Sequence, residues 1–426
     1  MRKIVAKNAL VYGKGISGTG AKAALEKCGV NCTICDDTDF EEKFIGQYDL
    51  IIVSPSIPRS HKIFKIAAET DTEILGEIEL GARICDKPLI AVTGTNGKTT
   101  VTELIGRALG YSRDACVSGN VGRSFALDAT FDHEIYVCET SSFQLEAVST
   151  FAPHIAIVTN ITEDHLDRHG SFENYSRLKM RIAAAQTPAD YLILNVDAIP
   201  ECALKDFHPR SDVLYTSMQT PVRGAYVLKD KFYWFDEPIA KINRMKMIGL
   251  HNAENALSMI AAAKLFDISN ADIVRALEEF EPDEYRIAYS GCARGVAFYN
   301  DSKGTNVAAT KMAMRAMPSS YTLIAGGYDK GFGYEELFEN ADERLTEVCA
   351  IGQTRNSVAD AAARHGVKAI VCGTLSEAII EAYHSGADNV LFSPATSSFD
   401  TFKDYLDRGA AFDKIVGEII KSEKIG

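Results

Sequence analysis

The chain has 426 residues, 46% hydrophobic and 24% charged, with a formal net charge of -13. That length exceeds one ordinary core and implies two or three folding units, while the composition excludes a disordered chain. No apolar run reaches membrane-span length and the acidic field repels phosphate, so neither membrane nor nucleic acid is an expected partner, and any nucleotide must be held by local dipoles and a metal.

In the opening MRKIVAKNALVYGKG, Lys7 and Asn8 interrupt any apolar stretch. This argues against a secretory leader and for a cytoplasmic protein. A first block, 1–87, carries ALVY, a glycine turn, a helix from about Ser17 to Cys28, then NCTICD and DLIIVS. Ten cysteines are scattered, mostly in apolar runs such as IYVCET around Cys138 and AIVCG around Cys372, as buried reduced thiols are. Cys28, Cys32 and Cys35 offer one CxxC spacing with no second pair downstream, so no zinc site is expected.

A second block, 88–285, has the strand-like runs PLIAVTG, EIYVCE, IAIVTN and YLILN. AYVLKDKFYWF then reads as a hairpin turning at Lys229 to Lys231, and HNAENALSMIAAAKLF as a helix. The third block, 286–426, alternates VAFYND, YTLIAGG, VCAIG, KAIVC and NVLFSPA with helix-length segments. The rhythm predicts an α/β fold of three domains, with the N-terminal and C-terminal ones Rossmann-like. The central sheet is expected to be mainly parallel with a small antiparallel extension.

The sharpest chemical signal is Gly94-Thr95-Asn96-Gly97-Lys98-Thr99-Thr100, between a strand and a helix. Such a turn aims backbone N–H groups at an anion, Lys98 adds a point charge, and Thr99 offers a hydroxyl to magnesium. It is a shortened phosphate loop, because Val92 occupies the first glycine's place in GxxxxGK[ST]. A bound triphosphate needs metal ligands on the same sheet edge, and Glu139 and His165 end or follow neighbouring strands. In the first block, Gly13-Lys14-Gly15-Ile16-Ser17-Gly18, with Asp36 after the next strand, also matches a dinucleotide-binding turn. An NAD-dependent oxidoreductase is therefore an alternative of a different class, and a non-catalytic scaffold a third.

The segments GTNGKTT, ETSSFQLE, NITEDHLDRHG, HNAEN, NDSKGTN, GGYDKG and SPATSSFDTF, in this order, resemble the Mur ligase family, which includes folylpolyglutamate synthase. The last two point to its D-glutamate-adding branch, against a sister ligase or a folylpolyglutamate synthase-like enzyme taking another amino acid. The resemblance implies an ATP-dependent, magnesium-assisted amide ligase whose central domain is a P-loop ATPase. It would join D-glutamate to UDP-N-acetylmuramoyl-L-alanine through an acyl phosphate, acting as a monomer in peptidoglycan precursor synthesis.

It further implies that Lys98, Glu139, His165, Lys179 and Lys303 are catalytic. The metal would be held by Thr99, Glu139, His165 and Lys179, the last as a carbamate. ATP would be bound by Gly94 to Thr100 with Asn252, Asn255, Arg286 and Asp301, and D-glutamate by Thr305, Lys330, Ser398 and Tyr405. Gly13, Ile16, Ser17, Asp37, Ser54 and Asn120 would receive the UDP-sugar. Here the match frays: Asp37-Thr38 stands where a Thr-Arg pair is expected, and Ser56 replaces the glycine of SPGIP.

Overall fold

The computed structural model describes residues 2–40, 42–247, 249–281, 285–331, 333–339 and 341–425. The chain forms two compact units, Met1–Lys246 with Asn252–Phe280, and Met247–His251 with Glu281–Gly426.

The first unit holds two sheets. β1 (Asn8–Tyr12), β2 (Asn31–Cys35), β3 (Leu50–Val53) and β4 (Glu73–Gly76) form a parallel sheet in the order β2-β1-β3-β4. β3, LIIV, is buried along its whole length. An unbroken apolar run with no alternation is what a strand covered on both faces requires. The helix after β1 spans Ile16–Lys27, one residue earlier at each end than expected.

The second sheet uses β5 (Leu89–Thr93), β6 (Ala115–Gly119), β7 (Ile135–Glu139), β8 (Ile155–Val158), β9 (Tyr191–Asn195), β10 (Asp212–Ser217), β11 (Gly224–Leu228), β12 (Lys231–Trp234) and β13 (Glu237–Lys241). Their order is β13-β12-β11-β10-β9-β8-β5-β7-β6. Pairing is parallel from β6 to β11, while β11–β12 and β12–β13 are antiparallel. The expected hairpin turns at Lys229 and Asp230, whose φ angles of 47° and 64° supply the twist that a two-residue connection needs. Tyr226 faces Tyr233 across it, their rings stacked at 5.4 Å. One apolar core runs through both sheets, joining Val11 and Ile52 of the first to Ala91 and Val158 of the second.

The second unit contains β14 (Ala288–Ala293), β15 (Val296–Asn300), β16 (Tyr321–Gly326), β17 (Leu345–Ile351), β18 (Lys368–Val371) and β19 (Asn389–Phe392), ordered β14-β15-β19-β16-β17-β18. Only the β14–β15 pair is antiparallel among these. Placing β19 between β15 and β16 gathers the C-terminal ends of all three strands, marked by Asp301, Gly326 and Ser393, at one sheet edge.

Sequence reading missed β4, β6, β10, β13 and β14. Four of these lie at sheet edges, where half the neighbours are absent and the apolar signal is correspondingly weak. All ten cysteines are free. Among the described residues no helix is long and apolar enough to cross a membrane.

Candidate functional site: a phosphate loop and its surroundings

β5 ends at Thr93, and four residues separate it from the helix Lys98–Gly110. Two glycines make the turn between them possible. Gly97 has φ 80°, and a Cβ there would fall against Asn255 Oδ1; Gly94 has φ 155°, and a Cβ there would strike Thr159 Oγ1. Both are positions where a side chain is excluded by backbone angle and by close approach. Gly97 caps the helix without a side-chain hydrogen bond, so the first helical N–H groups point outward at the positive end of the helix dipole.

The loop is braced from the end of β8. Asn160 accepts from the Asn96 N–H (2.9 Å) and donates to the Asn96 carbonyl (3.0 Å), to which Thr159 Oγ1 also donates (2.6 Å). Thr95 Oγ1 donates to the Thr162 carbonyl (3.0 Å) and lies 3.1 Å from the Tyr175 hydroxyl. The sequence reading assigned no role to Thr159, Asn160 or Tyr175. Their signal was positional: β8 pairs with β5, so residues just after it must flank the loop.

Two lysines converge on one carbonyl. Lys98 Nζ donates to Gly94 O (3.0 Å) and Thr95 O (2.8 Å), and Lys179 Nζ donates to Gly94 O (2.7 Å). Lys179, on the helix Phe172–Met180, is 1% exposed, with its ammonium 4.5 Å from the Tyr175 ring centre. Burial, reinforced by the Lys98 charge, holds its pKa well below the usual lysine value, although Asp164 and Glu139 pull the other way.

Glu139 closes β7 and is 2% exposed; Oε1 accepts from Asn120 Nδ2 (2.7 Å), while Oε2 is buried with no hydrogen-bond donor. A buried carboxylate oxygen left unmatched is suited to a cation. Asn120, expected at the sugar nucleotide, thus also bonds this carboxylate. His165 sits in left-handed backbone (φ 52°), its ring 4.8 Å from Phe143 and Nε2 3.7 Å from Asp164 Oδ2. Among the described residues no group of three or more His, Cys, Asp or Glu comes together as a metal cage. Thr99 and Thr100 lie in the first turn of the helix after the loop, and Asn255, which lies against Gly97, donates through Nδ2 to Asn252 Oδ1 (3.2 Å).

At the first sheet, Gly13 abuts Ser54, whose hydroxyl is buried and lacks a partner. Ile16, 64% exposed, and Ser17 begin the adjoining helix. Asp37 accepts from the Tyr12 hydroxyl (2.5 Å) and lies 3.0 Å from His61 Nε2; these contacts, Tyr12's first, hold its carboxyl below the ordinary range.

In the second unit Asp301 is 4% exposed, and burial raises its pKa to about 7 against the opposing Ser393 hydrogen bond (2.6 Å) and the Arg286 charge. Arg286 Nε is buried without an acceptor. Lys303 Nζ lies 5.5 Å from the Tyr405 ring centre, and Lys330 Nζ donates to the Thr305 carbonyl (3.2 Å). Ser398 is buried, and its carbonyl accepts from the Thr401 and Phe402 N–H groups.

One residue the sequence reading missed ties these segments together. Arg408, 1% exposed, donates to Ser302 Oγ (3.1 Å), Ser302 O (2.8 Å) and Thr396 O (3.1 Å). In sequence it looks like any helix arginine, and nothing local marks it as buried.

A strand, a shortened glycine loop and a helix, with a buried lysine and carboxylate alongside, define an ATP-dependent ligase of the Mur class, and the Mur ligase middle domain model matches residues 92–263. The fold agrees: a pseudomurein peptide ligase type C from Methanothermus fervidus superposes with a TM-score of 0.63 at 16% identity, covering 97% of this chain and 100% of that one. A MurF ligase from Thermotoga maritima in complex with ADP gives 0.59 at 15% identity, covering 88% and 96%. At the level of sequence, a UDP-N-acetylmuramoylalanine–D-glutamate ligase of Caldanaerobacter subterraneus subsp. tengcongensis is 35% identical over 444 residues, 97% of this chain and 98% of that protein. The chain belongs to the Mur ligase family, among the UDP-N-acetylmuramoylalanine–D-glutamate ligases.

Proposed function

We propose that this protein joins D-glutamate to UDP-N-acetylmuramoyl-L-alanine at the cost of ATP, in peptidoglycan precursor synthesis. The carrying observation is the phosphate loop with Lys98 and Lys179 both on the Gly94 carbonyl, within a chain similar along nearly its whole length to D-glutamate ligases. That membership sets aside the oxidoreductase and scaffold readings.

A carboxylate resists attack by an amine because the attack adds charge to an anion, so a leaving group must be installed first. The γ-phosphoryl group passes from ATP to the terminal carboxylate of the UDP-sugar substrate, forming an acyl phosphate and ADP. The amine of D-glutamate then attacks the acyl carbon, a proton leaves the nitrogen, and the C–O bond to phosphate breaks to give amide and inorganic phosphate. Gly94 to Thr100 grip the phosphates through N–H groups, and Lys98 exchanges its loop carbonyls for developing phosphoryl charge. Asn252 and Asn255 take the adenine. Gly13, Ile16, Ser17, Asp37, Ser54 and Asn120 receive the UDP-sugar.

Glu139, with its unmatched Oε2, would hold magnesium together with Thr99, His165 and Lys179, the last as a carbamate. When bound, the ion screens charge on the transferring phosphoryl group. In the second unit we assign D-glutamate to Thr305, Lys330, Ser398 and Tyr405, with Lys303 in catalysis and Arg286 and Asp301 in ATP binding. The domain boundaries we propose are 1–87, 88–285 and 286–426, in a cytoplasmic monomer.

The test is phosphate release from ATP with UDP-N-acetylmuramoyl-L-alanine, comparing D-glutamate, L-lysine, meso-diaminopimelate and no amino acid. Release with D-glutamate alone is expected. Release with another amino acid moves the branch, and no release with any of them refutes the ligase reading.

A further inference from the structure

The first unit contains a cavity of about 650 Å³ lined by none of the residues assigned above to the ligase reaction. Its walls come from the segment Pro58–Ser60, from the helix Phe172–Met180 and the turn after it, and from residues 203–207. On that helix Tyr175 and Lys179 are buried at the phosphate loop, whereas Asn174, Arg177 and Leu178 line the cavity.

The lining is strongly basic for a chain of net charge -13. Arg59, Arg168, Arg177, Arg181 and Lys205 stand against two carboxylates, Glu146 and Asp206, a surplus of three positive charges. The Glu146 carboxylate is already engaged by Arg168 Nε (3.1 Å) and Nη2 (2.8 Å). Arg59 and Arg181 bond backbone instead: Arg59 Nε (3.2 Å) and Arg181 Nη1 (3.1 Å) donate to the same Glu146 carbonyl. Two guanidinium groups on one neutral oxygen repel each other, and their mutual cost falls when an anion enters beside them. Leu178, Met180 and Phe207 add an apolar floor.

We propose that this cavity binds a phosphate-bearing metabolite with at least two negative charges, at a site separate from the phosphate loop. Binding crosslinks the segment Pro58–Ser60 to the helix Phe172–Met180, so an occupant stiffens the support of Lys179.

The probe is inorganic tripolyphosphate, titrated calorimetrically into the full chain with the phosphate loop filled by Mg-ADP. One saturable site that weakens with added salt is expected. Arg177→Ser/Lys205→Ser, two exposed positions whose replacement leaves the fold intact, is expected to weaken it at least tenfold, since each charged contact is worth about that factor. Equal binding by the double variant overturns the proposal. So do complete competition by UDP, displacement by Mg-ADP, and absence of binding at millimolar probe.

Discussion

Asp301→Asn tests the electrostatics of the second unit quantitatively. The Asp301 carboxyl is 4% exposed and its pKa is raised by burial from 3.8 to about 7. A carboxyl with a raised folded pKa lends stability that is complete below the unfolded value of 3.8 and is lost as pH climbs through 7. Between pH 5 and pH 7 the folded state holds a proton that the unfolded state has released. At about 1.36 kcal/mol per unit, and with the folded carboxyl half titrated by pH 7, those two pH units make about 2.3 kcal/mol. Asparagine has the same shape, accepts from Ser393 and does not titrate. The stability of the native chain minus that of Asp301→Asn should therefore fall by about 2.3 kcal/mol from pH 5 to pH 7, by a few tenths more from pH 7 to pH 8, and stay level above that. The assay is urea unfolding of ligand-free protein at each pH, scored by a brief amide-labelling pulse on peptides from β16 and β19, which report the second unit alone. A difference that does not change with pH would show that Asp301 is ionised throughout and refute the burial argument.

Three further outcomes follow from the geometry. Lys179→Met should abolish turnover yet shift folding stability by no more than about 1 kcal/mol, because one lost hydrogen bond is offset by no longer burying an amine; a large loss of stability would make Lys179 structural, and Lys179→Ala should regain activity with short carboxylates. Gly97→Ala must hold alanine at φ 80° against Asn255, a cost of about 1–2 kcal/mol in backbone alone, so ADP affinity measured by calorimetry should drop about tenfold or more, and unchanged affinity would contradict the loop geometry. Arg408→Lys cannot reproduce the three-point fork on Ser302 and Thr396, so the KM for D-glutamate should rise several-fold with kcat less affected; an unaltered KM would detach Arg408 from the amino-acid segments.

Local sequence was enough for whatever depends on local chain geometry. GTNGKTT declares a phosphate loop because only glycine tolerates the left-handed angles and close approaches at Gly94 and Gly97. LIIV and LIAVT declare buried parallel strands because both faces are covered. KDK, between two alternating runs, declares a hairpin. What the chain could not declare is which distant residues share a site. Asn160 braces Asn96 across 64 residues, Asn120 orients Glu139, and Arg408 reaches Ser302 across 106. Nothing within a few residues of Arg408 distinguishes a guanidinium in the core from one in water, since burial is set by the packing of segments brought together by the strand order. Lys179 shows the same division: as sequence it is a helix lysine, and only the closed surroundings of Gly94, Tyr175 and Lys98 remove its water and lower its pKa.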